Sequence, residues 1–224
     1  MNPMTLQPTP AQAWERLSKG NERFVQDNLA HPNMDKDRRE KLRLGQNPIA
    51  VVLACSDSRV PVEHIFDAGL GDIFVVRTAG EILGEEVMGS VSYAVNSLDV
   101  PLVIVLGHEG CGAVAAAVEA LDGGDLPDDH QRILIERVAP SILVARNEGK
   151  TKSFEFERRH AAETAAQLIQ RMPKLGQKSA EGTVGLVAAR YRQDTGAVET
   201  VATYGGVDEQ RTVATINPDT PAAP

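Results

Sequence analysis

Leu102-Val103-Ile104-Val105-Leu106-Gly107-His108-Glu109-Gly110-Cys111-Gly112 opens as five apolar residues and closes on a histidine, a glutamate and a cysteine set among glycines. A run that short, rich in β-branched residues and ended by glycine, reads as a strand covered on both faces. Two upstream runs read the same way: Ile49-Ala50-Val51-Val52-Leu53-Ala54, which ends at Cys55, and Ile73-Phe74-Val75-Val76. Between the second and third strands, Val87, Val91, Val95 and Leu98 recur at helical spacing; after the third, Val114, Val118 and Leu121 do so. Strand and helix in alternation predict an α/β fold around a mostly parallel sheet.

Outward from this core, Thr9-Pro10-Ala11-Gln12 reads as an N-cap, a proline at the first helical position and a capping-box glutamine. Trp14, Leu17, Phe24 and Val25 then share one face, which predicts a helix to about Leu29 in an N-terminal arm over residues 1–30. The stretch from His31 to Gln46 is charged and partly helical, with Arg38, Arg39, Lys41 and Arg43 on a solvated face. Downstream, helical patterns span Gln131 to Asn147 and Ser153 to Arg171. Thr183 to Tyr191 reads as a fourth parallel strand, and Ala197 to Tyr204 as an antiparallel edge after the Asp194-Thr195-Gly196 turn. The expectation is one domain over residues 1–224, with a disordered tail from Asn217, where three prolines fall in eight residues.

The 224 residues are 42% apolar but only 4% aromatic, so aliphatic side chains must fill the core. Lys and Arg number 23 against 31 Asp and Glu, a net charge of −8. That balance argues against a nucleic-acid binder and against a polybasic membrane anchor. No apolar run is long enough to span a bilayer, and the first ten residues lack a signal-peptide layout, so the expected location is the cytoplasm. Two cysteines cannot build a disulfide scaffold and are expected as thiols.

The chemistry gathers where strands end. Cys55 follows the first strand, and His108 and Cys111 follow the third; in open α/β sheets, ligands bind beyond the carboxyl ends of strands. Two thiolates and an imidazole suit zinc and leave one tetrahedral position open, the pattern of a catalytic site. Cys111 is expected in the first turn of its helix, where the dipole favours a thiolate. Three other readings stand beside this one: two small buried hydrophobes, a structural zinc with Asp57 as fourth ligand, and a Cys55–Cys111 disulfide. Glu63 and His64 read as a solvent-facing helical pair, and His31, His130 and His160 as surface positions.

Cys55-Ser-Asp57-Ser-Arg59-Val-Pro followed by His108-x-x-Cys111-Gly112 resembles the β-class carbonic anhydrases, the actinobacterial members most of all. Gly71-Asp72-Ile-Phe-Val-Val-Arg77 and Tyr93-Ala-Val extend the likeness over roughly Trp14 to Tyr204. The resemblance implies Zn2+ on Cys55, His108 and Cys111, with zinc-bound hydroxide attacking CO2 to give bicarbonate. It implies an Asp57–Arg59 dyad that orients and gates, with Asp57 either the fourth ligand in a closed state or held off the metal by Arg59. It places Gln46, Phe74, Ala79, Tyr93 and Gly112 around the substrate, in a pocket at a subunit interface of a homodimer or homotetramer. The N-terminal helix would wrap the partner there and bury the Trp14 stripe. The alternative activity on the same site is hydrolysis of COS or CS2. Two departures stand out. Arg77-Thr78-Ala79-Gly80-Glu81 replaces the common Arg-Asn-x-Ala-Asn, and Val52 stands where some bacterial members carry the tryptophan of a bicarbonate-binding regulatory site.

Overall fold

The computed structural model describes residues 7–207; Met1 to Leu6 and the tail expected from Asn217 lie outside the described residues. Five strands form one sheet: β1 (Ala50–Cys55), β2 (Ile73–Thr78), β3 (Leu102–His108), β4 (Gly185–Tyr191) and β5 (Val198–Tyr204), in the order β2-β1-β3-β4-β5. The first four are mutually parallel, and β5 returns antiparallel to β4. This is the α/β architecture that the alternation predicts.

The period of two divides each strand between two apolar layers. Val51, Leu53, Val103, Val105 and Leu186 face one side, with the helices α4 (Glu85–Ser97), α7 (Ser153–Arg171) and α8 (Pro173–Ala180). Val52, Ala54, Ile104, Leu106 and Val187 face the other, with α1 (Pro10–Val25) and α3 (Val62–Ile65). β1, β3 and β4 are buried along their whole length, which accounts for their unbroken apolar runs. A third cluster joins Cys55 and Cys111 to α5 (Gly112–Leu121) and α6 (Arg132–Asn147), capping the carboxyl ends of the strands. The remaining helix, α2 (Lys36–Leu42), buries none of its residues, as its charged sequence requires.

α1 opens with the expected capping box: Gln12 N donates to Thr9 Oγ1 (3.2 Å) and Thr9 N donates to Gln12 Oε1 (3.0 Å). It stops at Val25, short of Leu29, because Asp27 takes a left-handed φ of 53° and Asn28 N turns back to Arg23 O. Part of its apolar stripe packs within its own chain. Ala13 and Leu17 are buried, and Trp14 meets Phe66 edge-on at 6.4 Å. The rest of the stripe is covered only in part within one chain: Trp14 and Phe24 are half-buried and Val25 is 45% exposed.

Candidate metal centre

The parallel register sets the carboxyl ends of β1, β2 and β3 side by side: Cys55 lies opposite Thr78, and Ala54 opposite Leu106. Cys55 is the last residue of β1 and His108 the last of β3. After His108 the chain turns through Gly110, at a left-handed φ of 64°, and enters α5 with Cys111 as its N-cap. Cys111 thus sits one position before the first turn expected for it, still at the positive end of the helix dipole. Cys55 Sγ, a His108 ring nitrogen and Cys111 Sγ all lie within 4.8 Å of one another, and all three residues are buried. Both cysteines are free thiols.

The donor set fits a zinc ion. His108 Nδ1 is 2.8 Å from Glu109 O, an acceptor only, so Nδ1 carries the proton. Nε2 is left with its lone pair, buried and without a hydrogen-bond partner in the structure. An orphaned imidazole nitrogen beside two thiols matches the ligand chemistry of Zn2+. The thiols titrate as a pair. The neighbouring Cys111 thiol draws Cys55 down to about 3 against the cost of burial, with help from the Gly80 N–H. Cys111, beside Cys55 and buried, is pushed up. A thiolate beside an imidazole is what a soft divalent cation requires.

Arg59 grips Asp57 in a bidentate pair, Nε to Oδ1 at 2.9 Å and Nη2 to Oδ2 at 2.7 Å, and its own N–H adds a third bond to Oδ1 at 2.9 Å. The Arg59 hydrogen bonds hold the Asp57 carboxyl well below the usual carboxylate range. Asp57 Oδ2 stands 4.0 Å from His108 Nε2, beside the triad. Arg77 braces the same loop, donating to Cys55 O (2.7 Å) and Asp57 O (2.7 Å).

The residues that the resemblance places around the substrate divide into two groups. Ala79 opens the short turn Ala79–Glu81, whose Gly80 N–H donates to Cys55 Sγ at 3.2 Å, and Gly112 begins α5; both adjoin the triad. Gln46 precedes β1 and is exposed, so it lies a strand's length, about 20 Å, from the triad of its own chain. Phe74 pairs with Val51 near the start of β2, and its ring is 6.1 Å from that of Tyr93 on α4. That aromatic pair, too, belongs to the far end of the sheet.

Several polar residues at the site escape a local reading. Glu81 is 1% exposed, and burial, with the Cys55 and Glu157 charges, raises its carboxyl well above the ordinary range. His160, expected at the surface, is 2% exposed and inside α7. Its spacing could have shown this: Phe156, His160 and Thr164 follow one another at four-residue intervals on the buried stripe. His31, His64 and His130 are exposed, as expected. No helix of the described residues is long and apolar enough to cross a membrane.

Comparison with known proteins gives one family throughout. The sequence model of the family described as carbonic anhydrase matches residues 50–198. Carbonic anhydrase 2 of Mycobacterium tuberculosis is 46% identical over 201 residues, covering 90% of this chain and 97% of that protein. The carbonic anhydrase of Mycolicibacterium smegmatis is 46% identical over 200 residues, covering 89% and 97%. Among solved structures, one of two tetrameric β-carbonic anhydrases of the ascomycete Sordaria macrospora superposes with a TM-score of 0.65 at 20% identity, covering 85% of this chain and 97% of that one.

Proposed function

This chain belongs to the carbonic anhydrase family, and from that premise we propose that it hydrates CO2 reversibly at a zinc ion held by Cys55, His108 and Cys111, with Asp57 and Arg59 as the orienting pair. The observation that carries this reading is the buried triad, with the unpartnered Nε2 of His108 aimed among two thiols. Zinc bound there supplies a nucleophile at neutral pH by acidifying the water it holds.

The chain's own residues do the rest. Asp57, anionic and fixed by Arg59, can accept one hydrogen bond beside the triad and so fix the direction from which attack comes. Arg59 is permanently charged and also donates to Gly110 O (3.2 Å), tying the Asp57 loop to the turn before Cys111. A Cβ on Gly112 would meet nothing within 4 Å, so the start of α5 leaves open space beside Cys111. The amide of Gln46 can hold a substrate oxygen only at the site of another copy, because it stands at the opposite end of its own sheet. Phe74 and Tyr93 lie at that same end, on and beside β2, whose outer edge is unpaired among the described residues. These positions support a homo-oligomer, dimer or tetramer, in which each copy completes its neighbour's pocket.

The test is direct. The purified chain should carry one zinc and hydrate CO2 in a stopped-flow indicator assay. Cys111→Ala should lose metal and activity together. A variant that kept both would show that the reaction does not run through this triad.

A further inference from the structure

We propose that Glu157 and His160, three residues apart on the inward face of α7, are positioning residues that set two of the three metal ligands. The inference rests on the reading of Cys55, His108 and Cys111 as a zinc centre.

Glu157 acts on His108 through one peptide unit. Its Oε1 accepts from Gly110 N at 2.8 Å. The carbonyl of that same peptide, Glu109 O, accepts from His108 Nδ1 at 2.8 Å. A carboxylate bonded to the N–H of a peptide polarises its C=O, because hydrogen bonds in a chain strengthen one another. The sequence carboxylate, peptide, imidazole thus does what a carboxylate bonded directly to a metal-binding histidine does: it fixes the tautomer and the ring plane, and makes Nε2 a better donor. Glu157 is itself fixed. It is 4% exposed, and its Oε2 accepts from Arg190 Nε at 2.7 Å.

His160 acts on Cys55. Its Nε2 is 2.7 Å from Gly80 O, which can only accept, so Nε2 carries the proton. Nδ1 then accepts from the Ser141 hydroxyl at 3.1 Å, and burial favours the neutral ring. Gly80 in turn donates its N–H to Cys55 Sγ at 3.2 Å. The carbonyl and the N–H of Gly80 belong to successive peptides, so this effect is one of placement. His160 holds the turn in the orientation that aims the N–H at sulfur. Gly80 has a left-handed φ of 68°, and a Cβ there would crowd Ala113, so the turn has little other freedom. An N–H donated to a thiolate draws charge off the sulfur and lowers what it gives to a metal. One helix therefore raises the donation of the histidine and restrains that of one thiolate.

The experiment compares wild type, Glu157→Gln, His160→Leu, His160→Gln and, as a control on the same helix, Glu163→Gln, which only loses a partly exposed pair with Arg159. Zinc affinity is measured by chelator competition, and the cobalt(II) forms by their thiolate charge-transfer and d–d absorption, all where circular dichroism reports a native fold. Glu157→Gln and His160→Leu should each weaken zinc binding about 10-fold or more and shift the cobalt bands, while His160→Gln, which restores an N–H at the Nε2 position, should stay within about threefold of wild type. Glu163→Gln should match wild type. Folded Glu157→Gln and His160→Leu forms with wild-type affinity and spectra would overturn the proposal. Should those variants not fold, the wild type decides: in its cadmium form the Gly110 amide proton and the His108 Nδ1 proton should both lie downfield, and a Gly110 amide at its random-coil position would overturn the inference. A wild-type chain that takes up neither zinc nor cobalt overturns the metal reading and this proposal with it; metal uptake with unmoved variants overturns this proposal alone.

Discussion

Arg59 closes both branches of its guanidinium on Asp57, a geometry that a lysine cannot copy. Because the carboxyl is held well below its usual range, Asp57 stays an anion across the whole range in which the chain would work. Without Arg59 the carboxylate is free to swing toward the triad, since Oδ2 is already 4.0 Å from His108 Nε2. Arg59→Ala should keep one zinc per chain and lose hydration activity by about 10-fold or more, the scale of one charge-assisted hydrogen bond. Arg59→Lys should recover only part of that loss. Metal analysis and stopped-flow rates on the same samples check both statements.

At the scale of elements, Asp67 ties α1 to the turn after α3. It accepts from Arg23 Nε (2.6 Å), Ala30 N (2.9 Å) and His31 N (3.0 Å). Burial alone would raise its carboxyl, but the Ala30 N–H, Arg23 and the His31 N–H outweigh burial and lower it. A carboxylate depressed in the folded chain contributes stability above its unfolded pKa, and that contribution is lost as pH falls through the folded value. Asp67→Asn should therefore cost about 1–3 kcal/mol at neutral pH, with the gap from wild type closing below about pH 4. Urea unfolding at a series of pH values measures it. The sheet was legible in the sequence because its strands are short, β-branched and buried on both faces, and the candidate ligands were legible because they close those strands or follow them within a few residues. α8 was not: it is eight residues long and buries only Leu175 and Ser179, too little to show a period. The contacts of Glu157 and His160 were not either. Their partners, Gly110 and Gly80, are brought to them only by the packing of α7 across the strand ends.

At the scale of the whole molecule, one chain holds a triad at one end of its sheet and Gln46 at the other. If each copy completes its neighbour's pocket, two damaged chains can repair each other. Cys111→Ala lacks a metal site but keeps Gln46; Gln46→Ala keeps the metal site but lacks the amide. Unfolded together and refolded as an equal mixture, they should recover about one quarter of wild-type activity plus about one quarter of the Gln46→Ala residual, as expected for random pairing in a two-fold dimer. Activity that is merely the mean of the two separate variants would place Gln46 outside its neighbour's pocket. Sedimentation of the same mixture establishes that pairing occurred. Such work has a convenient witness. The chain has a single tryptophan, and that residue is Trp14, edge-on to Phe66 where α1 meets α3. Intrinsic emission under tryptophan-selective excitation therefore comes from one seam, on the face of the sheet, while cobalt absorption comes from its rim. Followed side by side through a denaturant titration, the two colours tell whether the arm lets go before the metal does.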